Sequence, residues 1–493
     1  MKRLNERLEK RPCQIGLESR CCKNCLMGPC ILINKDDVGA CGANADVVSA
    51  RNIVRFTAAG ASNHTGHAEH ILQFTKKKFP EKYIDKKAPK YLLKLWKQLG
   101  ILPSVKHEHF KEISEAFHAT SFGVNADYQD LLKTAVKLGI IDGYLGLYLA
   151  TELEDKLYGK PKVREGVLDL GVIRDDKINI AVHGHEPMFA EEIVKEAKKH
   201  KNINVVGVCC TGASLLAKHG VPLAANVILQ ENVIATGMVE IMAVDAQCVM
   251  PSLVDICECY HTRLITTNSI AKISGATHMP VTDRESANIV AKKIIKLAIE
   301  NRKKRKRTSF SAKKEKVIVG FDERIADSLH KQLKEKKIKG IIAVIGCRNP
   351  RVTEDWISVY RKLSKDYAIL TTGCMAFELG KAGMLDGRRV FHVGSCINNA
   401  RIAEIFKRIA DKEKKEITDL PFIISAPAPL SEKCVAIGFF FAALGTDVHF
   451  GYPMMIKTNS NVENFLANVL KKHFKSRIFF ERDPKLFYKK IVE

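Results

Sequence analysis

From residue 174 onward, short runs of aliphatic and β-branched residues alternate with longer amphipathic segments. INIAVHGHEP, NINVVGVCCTG, NVILQE, EIMAVDAQC and TRLITTN each hold an apolar run that closes on turn residues. The rhythm resumes after residue 316 in VIVGF, GIIAVIGCRNP, AILTTGCMAFELG, RVFHVGSC, FIISAPAP and TDVHFGYP. Strand, loop and helix in alternation predict parallel sheets covered by helices on both faces. Residues 1–172 have a different period. There, apolar positions recur every three or four residues through GANADVVSARNIVRFTAAGASNHTGHAEHILQFTKKKF, which predicts helix. Lys76 to Lys97 read as a charged connection, and TAVKLGIIDGYLGLYLATELEDKLYG as a helix pair. The expected architecture is multidomain α/β. An N-terminal α-helical domain (1–172) precedes two Rossmann-like α/β domains with parallel sheets (173–301 and 317–493), joined by a basic linker (302–316).

Composition narrows this picture. With 493 residues, 46% of them apolar, the chain can bury several large cores. MKRLNERLEKRP has no apolar stretch behind its charges, so no signal peptide is expected. The apolar run from Val435 to Leu444 falls short of the ~20 residues of a membrane span. A cytoplasmic location without a transmembrane segment is the expectation. Lys and Arg number 79 against 55 Asp and Glu, a net charge of +24. The excess gathers at Lys76 to Lys97, Arg302 to Lys316, Lys331 to Lys339 and Lys471 to Arg477. Such a field attracts nucleic acid, an acidic membrane face or an acidic protein, and equally describes a heavily charged solvated surface. NRKKRKRTSFSAKKEK is read as an exposed linker, and nucleic acid is not expected as a partner. Neither a Walker loop nor G-x-G-x-x-G after a strand is present, so nucleotide binding has no support.

Fifteen cysteines change the picture more. In a reducing compartment they read as metal ligands or reactive thiols rather than disulfides. Cys22, Cys25, Cys30 and Cys41, the first three spaced C-x2-C-x4-C, offer four thiolates to one 4Fe-4S cluster. Cys13 and Cys21 are left over. Two thiolates from each of two chains would complete a cluster shared across a dimer axis. Further along, His183 and His185, Cys209 and Cys210, Cys248, Cys347, Cys374 and Cys396 all fall where a strand gives way to a turn. Ligands of such sheets collect at the carboxyl ends of strands. Five cysteine positions and a histidine exceed the four donors of a cubane, so a larger or mixed cluster is indicated. Nickel is a candidate because thiolate and sulfide donors suit its planar geometry. His64, His67 and His70 lie near one helix face, either passing protons or holding no joint role. His107 and His109 read as surface residues.

The stretches CCKNCLMGPC, CGANADVVSARN, AAGASNHTGH, VHGHEP, GVCCTG, VDAQCVMPSL, IGCRNP, TTGCMAFELGKAG, GSCINNARI and PLSEKCVAIG, with GYPMM in the tail, resemble the anaerobic nickel-iron carbon monoxide dehydrogenases. The resemblance implies reversible oxidation of CO with water to CO2, two protons and two electrons at a nickel-iron-sulfur cluster. It implies Cys248, Cys347 and Cys374 as ligands of the three-iron part, Cys396 at nickel, and His185 and Cys210 at an outlying iron. His183 and Cys209 stay open as alternatives. Cys22, Cys25, Cys30 and Cys41 would hold the subunit's own 4Fe-4S cluster, and Cys13 and Cys21 the one bridging a homodimer. Lys433 and His64 would flank the substrate, Ile437 would wall the CO site, and His67 and His70 would continue a proton path. Gln73 stands where a fourth histidine would extend that path. Electrons would leave through the 4Fe-4S clusters to a ferredoxin-like acceptor. The chain is shorter than the family pattern in the helical domain and between Cys374 and Cys396. Cys257, Cys259 and Cys434 depart from that pattern and read as small buried residues. Two rivals are a hybrid-cluster-type hydroxylamine reductase, which needs carboxylate ligands and an oxygen-bridged iron cluster, and a non-catalytic iron-sulfur redox sensor or relay.

Overall fold

The computed structural model describes residues 3–34, 36–104, 109–306, 310–452 and 460–493. His107, residues 307–309 of the basic linker and Pro453 to Met455 of GYPMM lie outside them. Strands β1 (Cys21–Cys22) and β2 (Cys30–Ile31) pair antiparallel in a small N-terminal ribbon. The other strands are β3 (Arg164–Leu168), β4 (Ile178–Gly184), β5 (Ile203–Val208), β6 (Leu223–Ala225), β7 (Val239–Val244), β8 (Arg263–Thr266) and β9 (Thr277–His278), then β10 (Glu315–Val319), β11 (Ile341–Val344), β12 (Ala368–Thr371), β13 (Val390–His392), β14 (Phe422–Ala426), β15 (Asp447–Phe450) and β16 (Ile478–Phe480). They form one sheet in the order β16-β15-β14-β11-β12-β13-β10-β3-β6-β5-β4-β7-β8-β9.

The two expected parallel sheets are therefore halves of one mixed sheet. Their joint is the antiparallel pairing of β3 with β10, running from Glu315 opposite Leu168 to Val319 opposite Arg164. Both joint strands are only partly buried, each with two buried residues among intermediate and exposed ones. By contrast β4, β7, β11 and β12 are buried at every residue, as strands covered on both faces must be. Each half reverses its winding once, between β4 and β7 and between β11 and β14. Crevices at such reversals are where ligands bind in open α/β sheets.

The helices differ from expectation in instructive ways. TAVKLGIIDGYLGLYLATELEDKLYG belongs to one rod, not a pair: Tyr128–Ile141 passes through a π-helical stretch Asp142–Tyr148 into Leu149–Tyr158. Lys76 to Lys97 is not merely a connection. It holds helices Tyr83–Lys87 and Lys90–Gln98, because Leu92 and Trp96 share a buried face and the Trp96 indole donates to the Ala443 carbonyl at 3.2 Å. REGVL within the helical region is strand β3. NVILQE is the 3-10 turn Val227–Leu229 and helix Gln230–Ala235, the strand lying just before it as β6. His109 is buried, its ring 4.5 Å from that of Phe79, so its neighbouring charges misled the surface reading. Arg305 of the basic linker is likewise tucked in, 2.7 Å from the Glu240 carboxylate. Among the described residues no helix is long and apolar enough to cross a membrane.

The core of the helical region is the long helix Ala45–Phe74, whose N-terminus is capped by the Asn44 side chain accepting from the Val47 N–H. It packs directly on helix Glu432–Ala443 and on the rod through Asp142. Small residues permit the approach. A Cβ at Gly60 would come 2.5 Å from the Glu432 carbonyl oxygen, one at Gly139 2.6 Å from the Phe439 Cβ, and one at Gly146 2.6 Å from the His64 Cβ. Gly60→Ala should therefore push two helices apart and cost about 1–3 kcal/mol. Gly66→Ala, in the same helix with nothing within 4 Å, should be neutral or add up to ~1 kcal/mol. Urea midpoints of the two variants check this; equal midpoints would contradict the packing.

Candidate metal centre

Both winding reversals and their neighbours deliver candidate ligands to one place. His185 follows β4, and Cys248 lies on the loop after β7. Cys210 is in the first turn of helix Cys209–His219 after β5. From the other half, Cys347 follows β11, Cys374 starts helix Gly373–Lys381 after β12, and Cys396 opens the 3-10 turn Cys396–Asn398 after β13. Lys433 and Ile437 sit one turn apart on helix Glu432–Ala443 after β14. The turns are strained to do this. Gln247 and Cys248 both take left-handed backbone angles, φ +66° and +59°, which bulky residues adopt only when their surroundings enforce it. Gly373 has φ +62°, and a side chain there would strike the Cys396 Sγ at 2.5 Å.

His185, Cys210 and Cys396 bring their ligand atoms within 4.8 Å of one another, all buried. Neither ring nitrogen of His185 has a hydrogen-bond partner, an arrangement that a buried imidazole tolerates poorly unless something else binds it. Cys210 accepts from Cys396, which holds its thiol below the ordinary range and raises that of Cys396. His183 is instead engaged with Gln230, its Nε2 3.0 Å from Oε1, and Cys209 accepts from Cys374. Lys433 reaches across: its Nζ donates to the Gln247 Oε1 at 2.7 Å and to the Cys248 Sγ at 3.4 Å. Burial opposes its charge, but attraction from Cys248, Cys210, Cys396 and Cys347 prevails and raises its pKa. Cys347 lies 3.5 Å from Cys434, a contact that, with the charge of Lys433, lowers the Cys347 pKa. Soft donors gathered around a trapped ammonium fit a thiolate-bound metal cluster.

Above this pocket stand His64 and His67, their ring centroids 5.4 and 5.7 Å from that of His185. Each histidine of the row meets a carboxylate, two from the rod and one from the loop after β4. His64 Nδ1 is 2.6 Å from Asp142, at the start of the π-helical stretch; His67 Nε2 is 3.1 Å from Glu154; His70 Nδ1 is 2.9 Å from Glu186. Burial raises the Asp142 pKa. Burial pushes Glu154 the same way, but Lys218 and then His67 outweigh it and lower its pKa. The Glu186 hydrogen bond raises His70. The row ends at a cavity of about 80 Å3 lined by His70, Gln73, Glu186, Thr267, Asn268 and Ser269 among others. Asp245 anchors the floor by accepting from the His185 and Glu186 amides at 2.6 and 3.0 Å and from the Thr211 hydroxyl at 2.7 Å. Asp142, Glu154, Glu186, Asp245 and Gln247 were not singled out from the sequence. The available signal was an acidic or amide residue in an otherwise apolar run, as in GIIDGYLG, or beside a candidate ligand, as in VHGHEP and VDAQC.

The N-terminal cysteines are less tightly gathered. Cys21, Cys22 and Cys30 lie on the β1–β2 ribbon, and the Gly39 turn packs on Cys30, the Ala40 amide donating to its Sγ at 3.4 Å. Among the described residues these thiols form no trio within 4.8 Å. Cys13 and Cys41 are exposed, and so are the neighbouring apolar side chains of Leu26, Met27, Ile31, Ile33 and Val38.

The sequence profile of the Prismane/CO dehydrogenase family matches residues 20–81 and 71–485. Carbon monoxide dehydrogenase 1 of Methanosarcina acetivorans is 34% identical over 532 residues, spanning 88% of this chain and 84% of that protein. Carbon monoxide dehydrogenase IV from Carboxydothermus hydrogenoformans superposes with a TM-score of 0.94 at 32% identity, covering 100% of this chain and 95% of that one. A nickel-free carbon monoxide dehydrogenase from Thermococcus sp. AM4 superposes at 0.92 with 32% identity, covering 100% and 93%.

The His70–Glu186 pair sets a pH signature. His70, with its pKa raised, contributes stability fully present below its unfolded value of 6.5 and lost as pH rises through the folded one. Glu186 is held low chiefly by that same hydrogen bond, against its burial, and contributes stability above its unfolded 4.5 that is lost as pH falls through its folded value. Denaturant unfolding of wild type against Glu186→Gln should show the largest gap between about pH 5 and 6.5, shrinking in alkali. A gap independent of pH would contradict the pairing.

Proposed function

The chain belongs to the Prismane/CO dehydrogenase family, and on that premise we propose that it is an anaerobic carbon monoxide dehydrogenase, oxidising CO with water to CO2, two protons and two electrons. The observation that carries the proposal is the buried set of soft donors around His185, Cys210 and Cys396 with Lys433 laid across it. We assign Cys248, Cys347 and Cys374 to the three-iron part of a nickel-iron-sulfur cluster, Cys396 to nickel, and His185 and Cys210 to the outlying iron. When bound, that cluster supplies Lewis acidity toward CO and water and a sink for two electrons.

The chain's own groups do the rest. Lys433 carries a fixed positive charge within the donor set, where it would stabilise negative charge developing on substrate oxygen, as an oxyanion hole does. His64 has Nδ1 fixed by Asp142 and leaves Nε2 without a partner, so it can donate or take a proton at that atom. Ile437, one turn beyond Lys433 and buried, gives the substrate site an apolar wall. His67 and His70 carry protons outward to Glu186 and its cavity. We assign Cys22, Cys25, Cys30 and Cys41 to the subunit's 4Fe-4S cluster and Cys13 and Cys21 to one shared between two copies. The exposed thiol of Cys13, and the exposed apolar side chains of the same N-terminal stretch, favour a homodimer that covers them. Electrons would leave there to a ferredoxin-like acceptor in the cytoplasm.

The test is dye reduction under CO by anaerobically purified protein, with its metals measured. Nickel and iron together with CO-dependent viologen reduction are expected. Iron without nickel after nickel supply, with hydroxylamine reduced instead, would replace this reading with a hybrid-cluster enzyme. Cys396→Ala should reduce CO turnover to background while the N-terminal cluster signals survive in electron paramagnetic resonance; loss of every cluster signal would contradict the division of sites.

A further inference from the structure

Cys434 is a buried thiol that the assignment above leaves without a task. It sits in the first turn of helix Glu432–Ala443, immediately after Lys433. The reversal in winding puts β11 beside β14, Ile341 opposite Phe422, so the loop after one strand faces the helix after the other. There the Cys434 Sγ lies 3.5 Å from the Cys347 Sγ, with the Ser431 hydroxyl 3.7 Å from the same sulfur. Both residues are buried, at 4% and 6% exposure. Gly346 makes the room: a Cβ on it would come within 3.1 Å of the Cys434 Sγ. Closing the gap to the ~2.0 Å of a disulfide brings the two sulfurs together across the contact between the loop after β11 and the first turn of helix Glu432–Ala443.

We propose that Cys347 and Cys434 are a reversible redox site, forming a disulfide when the metal centre is empty and so withdrawing one donor from it. The inference rests on the reading of Cys347 as a cluster ligand only for its consequence, not for the bond itself. In the oxidation the two S–H bonds break and one S–S bond forms. Two protons and two electrons pass to dioxygen, giving hydrogen peroxide. A dithiol reductant reverses the step, becoming a cyclic disulfide as the two thiols are restored. Pairing would keep the thiols of an unfilled site from the irreversible sulfinic and sulfonic states, and would make filling conditional on a reducing environment. In a filled site Cys347 is held by metal, and Cys434 has no thiol to pair with.

The full chain, stripped of metal by a chelator under nitrogen, is exposed to air-saturated buffer, its remaining thiols alkylated, and digested without reduction for mass spectrometry. The expected product is a peptide joining Cys347 to Cys434, two hydrogens lighter than its parts, abolished by dithiothreitol. It should be absent from Cys434→Ala and from Cys434→Ser, the second variant keeping a polar group of similar size. A Cys209–Cys374 bridge, should one form, is resolved by mass and survives in both variants. Loading with iron, sulfide and nickel before exposure should lower the Cys347–Cys434 product by about tenfold or more. If metal-free protein yields both cysteines alkylated or singly oxidised, the redox site is refuted and the ligand assignment stands untouched. If the bridge forms equally in loaded protein, the pair stands and Cys347 is not a cluster ligand.

Discussion

The ammonium of Lys433, enclosed by thiols, is the contact on which the rest of the molecule depends. An unpaired buried charge costs on the order of several kcal/mol, and Lys433 is 3% exposed. Its compensation comes from Gln247 and Cys248 on one half of the sheet and from the cysteines of both halves through charge. The ammonium in turn favours the thiolate forms that a metal requires. Neither partner is comfortable alone. To bring them together, the chain joins two parallel half-sheets through β3 and β10, and drives helix Glu432–Ala443 against the long histidine-bearing helix at Gly60. The glycines at 139 and 146 then let the third helix close on Phe439 and His64, which places Asp142 within reach of that imidazole.

The carboxylates make the same point one layer out. Asp142 and Glu154 come from the rod and Glu186 from the loop after β4, yet each meets one histidine of a single helix face. Glu154 is supported by Lys218 at 3.5 Å, and both oxygens of the adjacent Asp155 accept from the Arg401 Nη2, at 2.7 and 2.9 Å. His64 and His70 each have Nδ1 against a carboxylate, and the cavity lined by His70 and Glu186 lies at the far end of the row.

Much of the α/β rhythm was legible because parallel strands buried on both faces leave continuous apolar runs: the strand at INIAVHG needed no tertiary knowledge. β3 was not legible, since REGVL, two charged residues followed by Gly, Val and Leu beside helices, shows no strand period. Nor was the continuity of the rod through Asp142, because its π-helical stretch is buried all round and shows no amphipathic phase. NVILQE misled by composition; its β-branched residues, Val227 and Ile228, lie in a 3-10 turn. For the site, strand-end cysteines announced themselves by residue type. The groups that orient them did not. Asp245 and Gln247 sit in the same VDAQC stretch as Cys248, but a sequence gives no means to see that one holds the His185 amide and the other the Lys433 ammonium.

The proposed reaction requires one nickel-containing cluster held between the two half-sheets by His185 and five cysteines. Anomalous X-ray diffraction from crystals of the metal-loaded protein, collected on either side of the nickel and iron absorption edges, tests it most directly. A single nickel peak within bonding distance of the Cys396 sulfur is expected, with iron peaks against Cys248, Cys347 and Cys374 and a further iron between His185 and Cys210. Nickel located elsewhere, or iron confined to the N-terminal cysteines, would contradict it.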